Sequence, residues 1–438
     1  MRRHTRFPRL ALFRWGFLLT AFGMLASGPA PSACTTAVVT GAATANGRPL
    51  LWKNRDSDDR HNQVVYCDDG RYPYVGLVDT GDAAGMQIWA GINSQGFAIM
   101  NSASYNLGKD ETNGEGAFMK LALQSCATVQ DFQALLEKTN PGGRDVSANF
   151  GVIDAKGGAA YFETGKTSYK RYNADDPAIA PQNFLVRTNY SESGDPESGT
   201  GFLRHDRAVS LLGDLEREKK LDAQSLLATV ARDTANVRLD SFPAEKHRRG
   251  APEWAYVGDS IDRAITSAAV VFEGVRPGQD PRLATAWVIL GQPVTGVAVP
   301  LWVAAGGVPS ELGVSPEAAS LNEAFADVGD VLYPDERGEL KNYLSVDALS
   351  NPKTGLLAGL VGTEALNFRQ EGEAVQRWAA NFPAPSEVLG LEKAMARESL
   401  EAVKKLLQER QEKVPTQPRP RHRQPPPKPA LSVTPLAS

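Results

Sequence analysis

The sequence has little cysteine and little histidine for its 438 residues. Its cysteines are Cys34, Cys67 and Cys126, and of its five histidines one stands at position 4 and another at position 422. A cysteine or serine nucleophile normally needs a base within hydrogen-bond reach, and histidine is the usual one. The shortage therefore leaves few candidates for a Cys–His or Ser–His pair and favours a nucleophile that carries its own base.

Common cofactor and metal-binding motifs are absent as well. The chain has no glycine-rich dinucleotide fingerprint, no P-loop, no HExxH and no CxxC pair. Its net charge of −4 combines 47 basic and 51 acidic residues, which gives no general reason to expect nucleic acid or an anionic membrane as a partner. We therefore expect a globular protein that acts without a cofactor and binds no nucleic acid.

The first 33 residues are unlike the rest of the chain. Residues 1–14 are basic with no acid, residues 15–26 are apolar, and small residues and prolines follow up to Ala33. This order is typical of a secretory signal peptide, and the apolar run is too short to span a bilayer comfortably. We expect residues 1–33 to be removed and the protein to be exported, periplasmic or extracellular, without a stable membrane anchor. A retained anchor is the alternative.

Removal of that segment makes Cys34 the first residue of the mature chain. Thiols are mostly protonated at neutral pH, although the thiolate is the nucleophile. A free α-amine has a pKa of roughly 7.7–8.0, so a neutral fraction can take the thiol proton, and one residue then supplies nucleophile and base. Ala33 suits signal peptidase but Pro31 does not, so direct cleavage and an earlier cut followed by self-trimming both stay open. Lipidation of Cys34 is a rival use of the same cysteine.

The segment that begins at Ala33, ACTTAVVTGAATANGRPLLWKNRDSDD, resembles the start of the linear-amide hydrolases of the N-terminal nucleophile superfamily. That group includes choloylglycine (bile-salt) hydrolases, penicillin V acylases and penicillin acyltransferase-like hydrolases. The resemblance implies an α/β fold, a four-layer α/β/β/α sandwich with antiparallel sheets. It covers roughly Cys34 to Gly306, with scattered matches.

The same segment supplies two further candidate residues. Asn46-Gly47 predicts a hairpin turn between two strands, which brings Asp56 back to the strand that begins with Cys34. By the resemblance, Asp56 orients the α-amine. Lys53 falls near the thiol, where many bile-salt hydrolases carry arginine. A turn carboxylate at a strand end is the alternative for Asp56.

Three more site residues are implied by the resemblance. Asn101, with Ser102 and Ser104 behind it, follows a buried strand in GINSQGFAIMN and is expected to line the site. Asn189 ends another strand and is expected to donate to the oxyanion. Arg204 opens a helix in SGTGFLRHDRA and is expected to orient the surroundings of the nucleophile. For both asparagines, a simple turn residue is the alternative.

The remaining chain is divided by composition and periodicity. Residues 115–138 predict two helices split near Thr128, which is a suitable N-cap. The segment ANFGVIDAKGGAAYFET predicts a hairpin about Lys156-Gly157-Gly158. Residues 34–306 are expected to form the hydrolase core, and 307–413 a helical C-terminal extension packed on it, with a homo-oligomer surface as a further use. Residues 414–438 are rich in proline and basic residues, so we expect a disordered tail.

The sequence thus predicts an exported cysteine amidohydrolase that cleaves a small-molecule linear amide and needs no cofactor. Acyl-amino acids, bile-salt conjugates and penicillin-like amides all suit this class of site. Acyl transfer by the same acyl-enzyme and a catalytically dead binding protein are the alternatives. Cys67 and Cys126 either pair as a disulfide, which an exported protein permits, or stay unpaired.

Overall fold

Two antiparallel β-sheets form the centre of the structure, a computed structural model that describes residues 33–108, 112–235, 253–313, 319–334 and 342–414. In chain order the strands are β1 (Ala33–Val39), β2 (Leu50–Asp56), β3 (Asn62–Cys67), β4 (Tyr74–Asp79), β5 (Ala90–Asn93), β6 (Ala98–Ala103), β7 (Ala148–Ile153), β8 (Ala159–Thr164), β9 (Tyr169–Asn173), β10 (Phe184–Arg187), β11 (Trp254–Tyr256), β12 (Thr266–Glu273), β13 (Thr285–Ile289), β14 (Val299–Leu301) and β15 (Tyr343–Ser345). The first sheet has the order β10-β1-β2-β12-β13-β14, and the second runs from β3 to β9 in chain order. Strands β11 and β15 form a separate pair.

Helices cover the outer face of each sheet. They are α1 (Glu115–Ser125), α2 (Val129–Thr139), α3 (Phe202–Arg217), α4 (Ala223–Ser225), α5 (Ser320–Leu332), α6 (Val346–Ser350), α7 (Leu357–Trp378) and α8 (Pro385–Lys413), and a π-helical turn, Leu226–Ala231, continues α4. Helices α1 and α2 enclose an aromatic core against the second sheet, in which the Phe132 and Phe162 ring centroids lie 5.2 Å apart. The other helices pack with the first sheet, and the expected α/β/β/α sandwich is confirmed.

Strands β1 and β2 are buried along their whole length because a layer covers each of their faces. Side chains alternate between the faces of a strand. Thr36 faces the second sheet, where its hydroxyl accepts a hydrogen bond from Tyr161 Oη at 2.8 Å. Thr35 faces the helices, where its hydroxyl accepts from Arg204 Nη1 at 2.7 Å. Cys34 therefore shares the inter-sheet face with Thr36.

Several local predictions are confirmed by the backbone. Helices α1 and α2 are separated at Thr128, whose hydroxyl accepts from the Asp131 N–H while the Asp131 carboxylate accepts from the Thr128 N–H. The β7–β8 hairpin turns at Gly157, where φ is +91°. The Asn46-Gly47 turn is only one part of a longer connection, because β1 ends at Val39 and β2 begins at Leu50. Asn46 donates to Glu273 Oε1 at 2.7 Å, which holds the connection on β12 instead of closing a tight hairpin.

The described C-terminal segments are joined by contacts to residues that precede position 306. Arg232 forms a salt bridge with Glu364 of α7 at 2.6 Å, and both side chains are buried. Strand β15 pairs with β11, so residues after 306 complete a sheet with residues before it. The predicted signal segment, except Ala33, and the predicted tail, except Val414, lie outside the described residues. Within the described residues, no helix is long and apolar enough to cross a membrane.

Candidate active site

Cys34 lies second in β1 and is 4% exposed. Its backbone N–H donates to Asn189 Oδ1 at 3.1 Å, and its carbonyl oxygen accepts from Arg204 Nη1 at 2.6 Å. In the β1–β2 ladder Cys34 pairs with Arg55, and Ala33 pairs with Asp56. Backbone register and two side chains distant in sequence therefore fix the position of this cysteine.

Asn189 and Arg204 form one unit beside Cys34. Arg204 Nη2 donates to Asn189 Oδ1 at 2.8 Å, so this amide oxygen accepts from both Arg204 and Cys34. Asn189 Nδ2 donates to the Ala103 carbonyl at 3.0 Å. The amide therefore directs its oxygen toward the Cys34 backbone nitrogen, and the expected role of Asn189 as an oxyanion donor stays a prediction. Burial, and after it the charge of Arg263, lowers the pKa of Arg204 to about 10.

Gly201, the residue before helix α3, leaves space for the Arg204 side chain. Gly201 precedes the helix with φ +90°, a left-handed conformation that favours glycine. A Cβ at this position would lie 2.6 Å from Arg204 Nη2 and 2.8 Å from Thr188 Oγ1. Only a residue without a side chain leaves room for the Arg204 guanidinium here.

Asp56 is fully buried at the end of β2 and is held by two residues that the sequence did not single out for the site. Arg263 donates to Asp56 Oδ2 from Nε at 2.8 Å and from Nη2 at 2.6 Å. Thr266 Oγ1 donates to Asp56 Oδ1 at 2.7 Å. Burial opposes the charged form of Arg263, but the Asp56 carboxylate outweighs it and raises the pKa of the guanidinium. No motif marks Arg263; only its position just before β12 could have suggested it.

Lys53 projects from β2 into the space between the sheets. Its Nζ donates to Asn101 Oδ1 at 2.7 Å and to the Trp89 carbonyl at 2.9 Å, and it also interacts with the Cys34 side chain. Burial lowers the pKa of Lys53 to about 8, against the opposing effect of Cys34. A positive charge next to a thiol favours its thiolate form. The predicted residues Lys53 and Asn101 thus meet beside the predicted nucleophile.

A second group of side chains flanks the site and was missed from the sequence. Arg55 forms an ion pair with Asp79 at 2.8 Å and lies 4.8 Å above the Trp89 ring, whose Nε1 donates to Asp79 Oδ2 at 3.0 Å. Tyr105 also lies near Cys34, and burial, followed by the influence of Cys34, raises its pKa. These residues come from two strands and two loops, so no local sequence pattern brings them together.

The polar residues behind Asn101 form a network of their own. The Ser104 hydroxyl lies 2.8 Å from the Ser191 hydroxyl and donates to Asn106 Oδ1 at 3.0 Å. The Ser102 hydroxyl accepts from Asn149 Nδ2 at 3.2 Å. These serines therefore support the loop around Asn189.

The other two cysteines are free thiols, so a disulfide between Cys67 and Cys126 is not formed and the unpaired alternative is the one observed. Cys126 caps helix α1 within the aromatic core, and burial raises the pKa of its thiol to about 12. Cys67 ends β3 opposite Tyr74, and burial raises the pKa of its thiol as well. Within the described ranges, no group of three or more His, Cys, Asp or Glu side chains is arranged to hold a metal ion.

The six predicted site residues therefore surround the start of β1. The set contains the Cys34 thiol, the Asp56 carboxylate across the ladder, and two buried cations, Lys53 and Arg204. The backbone nitrogen of Cys34 donates a hydrogen bond to the amide oxygen of Asn189. Such a set can activate a thiol and stabilise negative charge on a bound acyl group. These residues lie at one end of the α/β/β/α sandwich that the sequence resemblance predicted.

Comparison with known proteins gives one partial family match. Residues 43–213 match the family model described as acyl-coenzyme A:6-aminopenicillanic acid acyl-transferase, which confirms the resemblance to penicillin acyltransferase-like proteins over that stretch. The match covers less than half of the chain and begins after Cys34, but it includes Lys53, Asp56, Asn189 and Arg204. No curated protein sequence matches the chain.

Several solved structures resemble the chain weakly. An N-acylethanolamine-hydrolyzing acid amidase ortholog from Caenorhabditis elegans has 19% identity and a TM-score of 0.38, over 56% of this chain and 93% of that one. A mutant of a conjugated bile acid hydrolase from Clostridium perfringens has 11% identity and a TM-score of 0.35, over 58% and 88%. A penicillin V acylase from Agrobacterium tumefaciens has 14% identity and a TM-score of 0.36, over 61% and 86%.

Proposed function

We propose that this chain is an exported amidohydrolase of the cysteine N-terminal nucleophile type, which cleaves a linear, non-peptide amide through an acyl-enzyme on Cys34. The observation that carries the proposal is the hydrogen bond from the Cys34 backbone nitrogen to Asn189 Oδ1 at 3.1 Å, with Asp56 paired to Ala33. Cleavage after Ala33 turns that nitrogen into an α-amine. The amine then has an acceptor in Asn189 and a carboxylate across the ladder.

The first half of the reaction forms the acyl-enzyme. The α-amine takes the thiol proton, and the thiolate attacks the amide carbon, with the Lys53 ammonium beside the sulfur. The tetrahedral intermediate collapses, the C–N bond breaks, and the α-ammonium returns its proton to the leaving nitrogen. The acyl group is then held as a thioester on Cys34. Asp56, fixed by Arg263 and Thr266, orients the amine throughout.

The second half decides between hydrolysis and acyl transfer. In hydrolysis, the α-amine deprotonates a water that attacks the thioester, and the acid is released with the thiol restored. An amine acceptor attacks the same thioester in acyl transfer. Because the matched family is described as an acyl-transferase, acyl transfer is the second candidate function. Product analysis with and without added amine acceptors separates the two outcomes.

A panel of acyl amides tests the proposal. The wild-type protein is expected to hydrolyse at least one acyl-amino acid, bile-salt or penicillin-like amide, and Cys34→Ala is expected to abolish turnover. Cys34→Ser keeps a weaker nucleophile and should retain the fold with little activity. Undiminished turnover in both variants would contradict the role of Cys34. Inactivity of the wild-type chain with Cys34 as its first residue supports a binding protein instead.

A further inference from the structure

Arg55 lies directly opposite Cys34 on the face of the first sheet that carries the thiol. The two residues pair in the β1–β2 ladder, and paired residues project their side chains from the same face of a sheet. The backbone N–H and carbonyl of Cys34 bond to Asn189 and Arg204 and not to β2. The pair is therefore of the non-hydrogen-bonded kind, in which the Cα atoms lie roughly 4.5 Å apart and the side chains are closest.

Contacts with the second sheet fix the Arg55 guanidinium. Its Nη1 donates to Asn62 Oδ1 at 2.6 Å and forms an ion pair with Asp79 at 2.8 Å, and its central carbon lies 4.8 Å from the centroid of the Trp89 ring. Both polar contacts use Nη1, so Nε and Nη2 have no hydrogen-bond acceptor among the described residues. These two nitrogens form the edge of a guanidinium that binds a carboxylate with two parallel hydrogen bonds.

The charges beside the thiol are unequal in number. Lys53 and Arg55 contribute two positive charges, and Asp79 contributes one negative charge. The Cys34 thiolate supplies a second negative charge before the attack, but the thioester sulfur that replaces it is neutral. Because an uncompensated buried charge is costly, a carboxylate on the bound acyl group balances the site in the acyl-enzyme.

The proposed reaction places the acyl group on the Arg55 side of the thiol. The leaving nitrogen takes its proton from the α-ammonium of Cys34, so it must lie within reach of that group. The Cys34 nitrogen faces Asn189, which follows β10, and β10 and β2 lie on opposite sides of β1. The acyl chain leaves the carbonyl carbon in a different direction from the nitrogen, and Arg55 on β2 borders that side.

We propose that Arg55 selects amides whose acyl half ends in a carboxylate, which its Nε and Nη2 bind. The inference rests on the proposed function, because it assigns the acyl half of that substrate. Arg55 acts by hydrogen bonds and charge alone, while the acyl carbon passes to the Cys34 sulfur as before. Asp79 and the Trp89 ring hold the guanidinium in place, and the Asp79 side chain, which is 29% exposed, brings this cluster to the protein surface.

Substrate pairs that differ only at the acyl terminus test this assignment. Succinyl, glutaryl and adipyl para-nitroanilides carry the carboxylate, and the corresponding terminal carboxamides are neutral and of nearly the same shape. Arg55→Met removes the charge and keeps a long side chain. Arg71→Met is the matched control, because Arg71 also lies over an aromatic ring, Tyr72, at 5.0 Å, but in the connection from β3 to β4, away from Asp79. Arg55→Lys, which keeps the charge without the planar fork, is a second variant should Arg55→Met not fold.

The measured quantity is kcat/KM for the carboxylate divided by kcat/KM for its carboxamide. We expect a ratio of roughly 10² in the wild type for at least one pair, a ratio near one in Arg55→Met and an intermediate ratio in Arg55→Lys. Arg71→Met should keep the wild-type ratio. A purely structural role of Arg55 would lower both rates and leave the ratio unchanged.

Three results overturn the assignment: a wild type that does not prefer the carboxylate, a ratio that both Arg55 variants leave unchanged, and a preference that follows a carboxylate on the amine half. N-acylglycines compared with N-acylglycinamides report that last case. Absence of Cys34-dependent turnover of every amide in the panel is a different result, because the proposed function itself then fails.

Discussion

The Lys53 ammonium donates to Asn101 Oδ1 at 2.7 Å and so joins the first sheet to the second beside Cys34. The positive charge sits in the buried space between two layers, where burial lowers its pKa to about 8. Because Lys53 loses its proton near pH 8, the charge next to the Cys34 thiol, the proposed nucleophile, depends on pH. An arginine at this position would keep its charge throughout the working pH range.

Two titrating groups, the α-amine of Cys34 and the Lys53 ammonium, are expected to set the pH dependence of kcat/KM. The rate rises as the α-amine becomes neutral, at roughly pH 7.7–8.0, and falls as Lys53, whose pKa is about 8, loses its charge. We expect a bell-shaped profile for the wild type. Lys53→Arg should lose the alkaline decline, and Lys53→Met should lower kcat/KM on the order of 10²-fold across the range. A profile of Lys53→Arg with the same alkaline limb as the wild type excludes Lys53 as its source.

The salt bridge between Asp56 and Arg263 predicts a large loss of stability. Asp56 is fully buried, and Asp56→Asn leaves the Arg263 charge without its partner in a buried position. Breaking one side of a buried pair typically costs about 3–5 kcal/mol. We expect a loss of this size in the free energy of unfolding, measured with denaturant. The double variant with Arg263→Gln should be destabilised by less than the sum of the two single variants; simple additivity argues that the pair is not coupled.

The close fit of Gly201 to Arg204 predicts an activity effect beyond backbone strain. Gly201→Ala must adopt φ near +90° and also displaces the Arg204 guanidinium, since the new Cβ lies 2.6 Å from Nη2. Gly278→Ala is the control, with φ +87° and nothing within 4 Å of its Cβ. Both variants should lose roughly 1–2 kcal/mol of stability. Only Gly201→Ala should also lose turnover; equal activity in the two variants shows that Arg204 tolerates the shift.

The free thiols predict that stability is insensitive to reduction. Cys67 and Cys126 are unpaired, and the core around Cys126 holds its thiol protonated. We expect a thiol titration of the denatured, unreduced protein to count all three cysteines, and Tm to be the same with and without a reductant. A count of one thiol with a reductant-sensitive Tm indicates the disulfide that the structure lacks.

The structural elements that were predicted correctly from the residues themselves depend mostly on local sequence patterns. The Thr128 cap and the turn at Gly157 depend on residues within a few positions, which a sequence displays directly. The long β1–β2 connection was missed because the bond from Asn46 to Glu273 crosses more than two hundred positions. Arg263 was missed for the same reason, since its role comes only from its contact with Asp56. The layering and the site residues Asn189 and Arg204 came from the family resemblance and not from periodicity.

The first residue of the mature protein decides whether the α-amine of Cys34 can act as the base. Intact mass and N-terminal sequencing of the active protein, purified from its producing cells, report that residue and any group attached to it. We expect Cys34 with an unmodified α-amine, because only then does the nitrogen that faces Asn189 serve as a base. An active protein that begins at another residue, or one with a lipid on Cys34, excludes an N-terminal Cys34 nucleophile with a free α-amine.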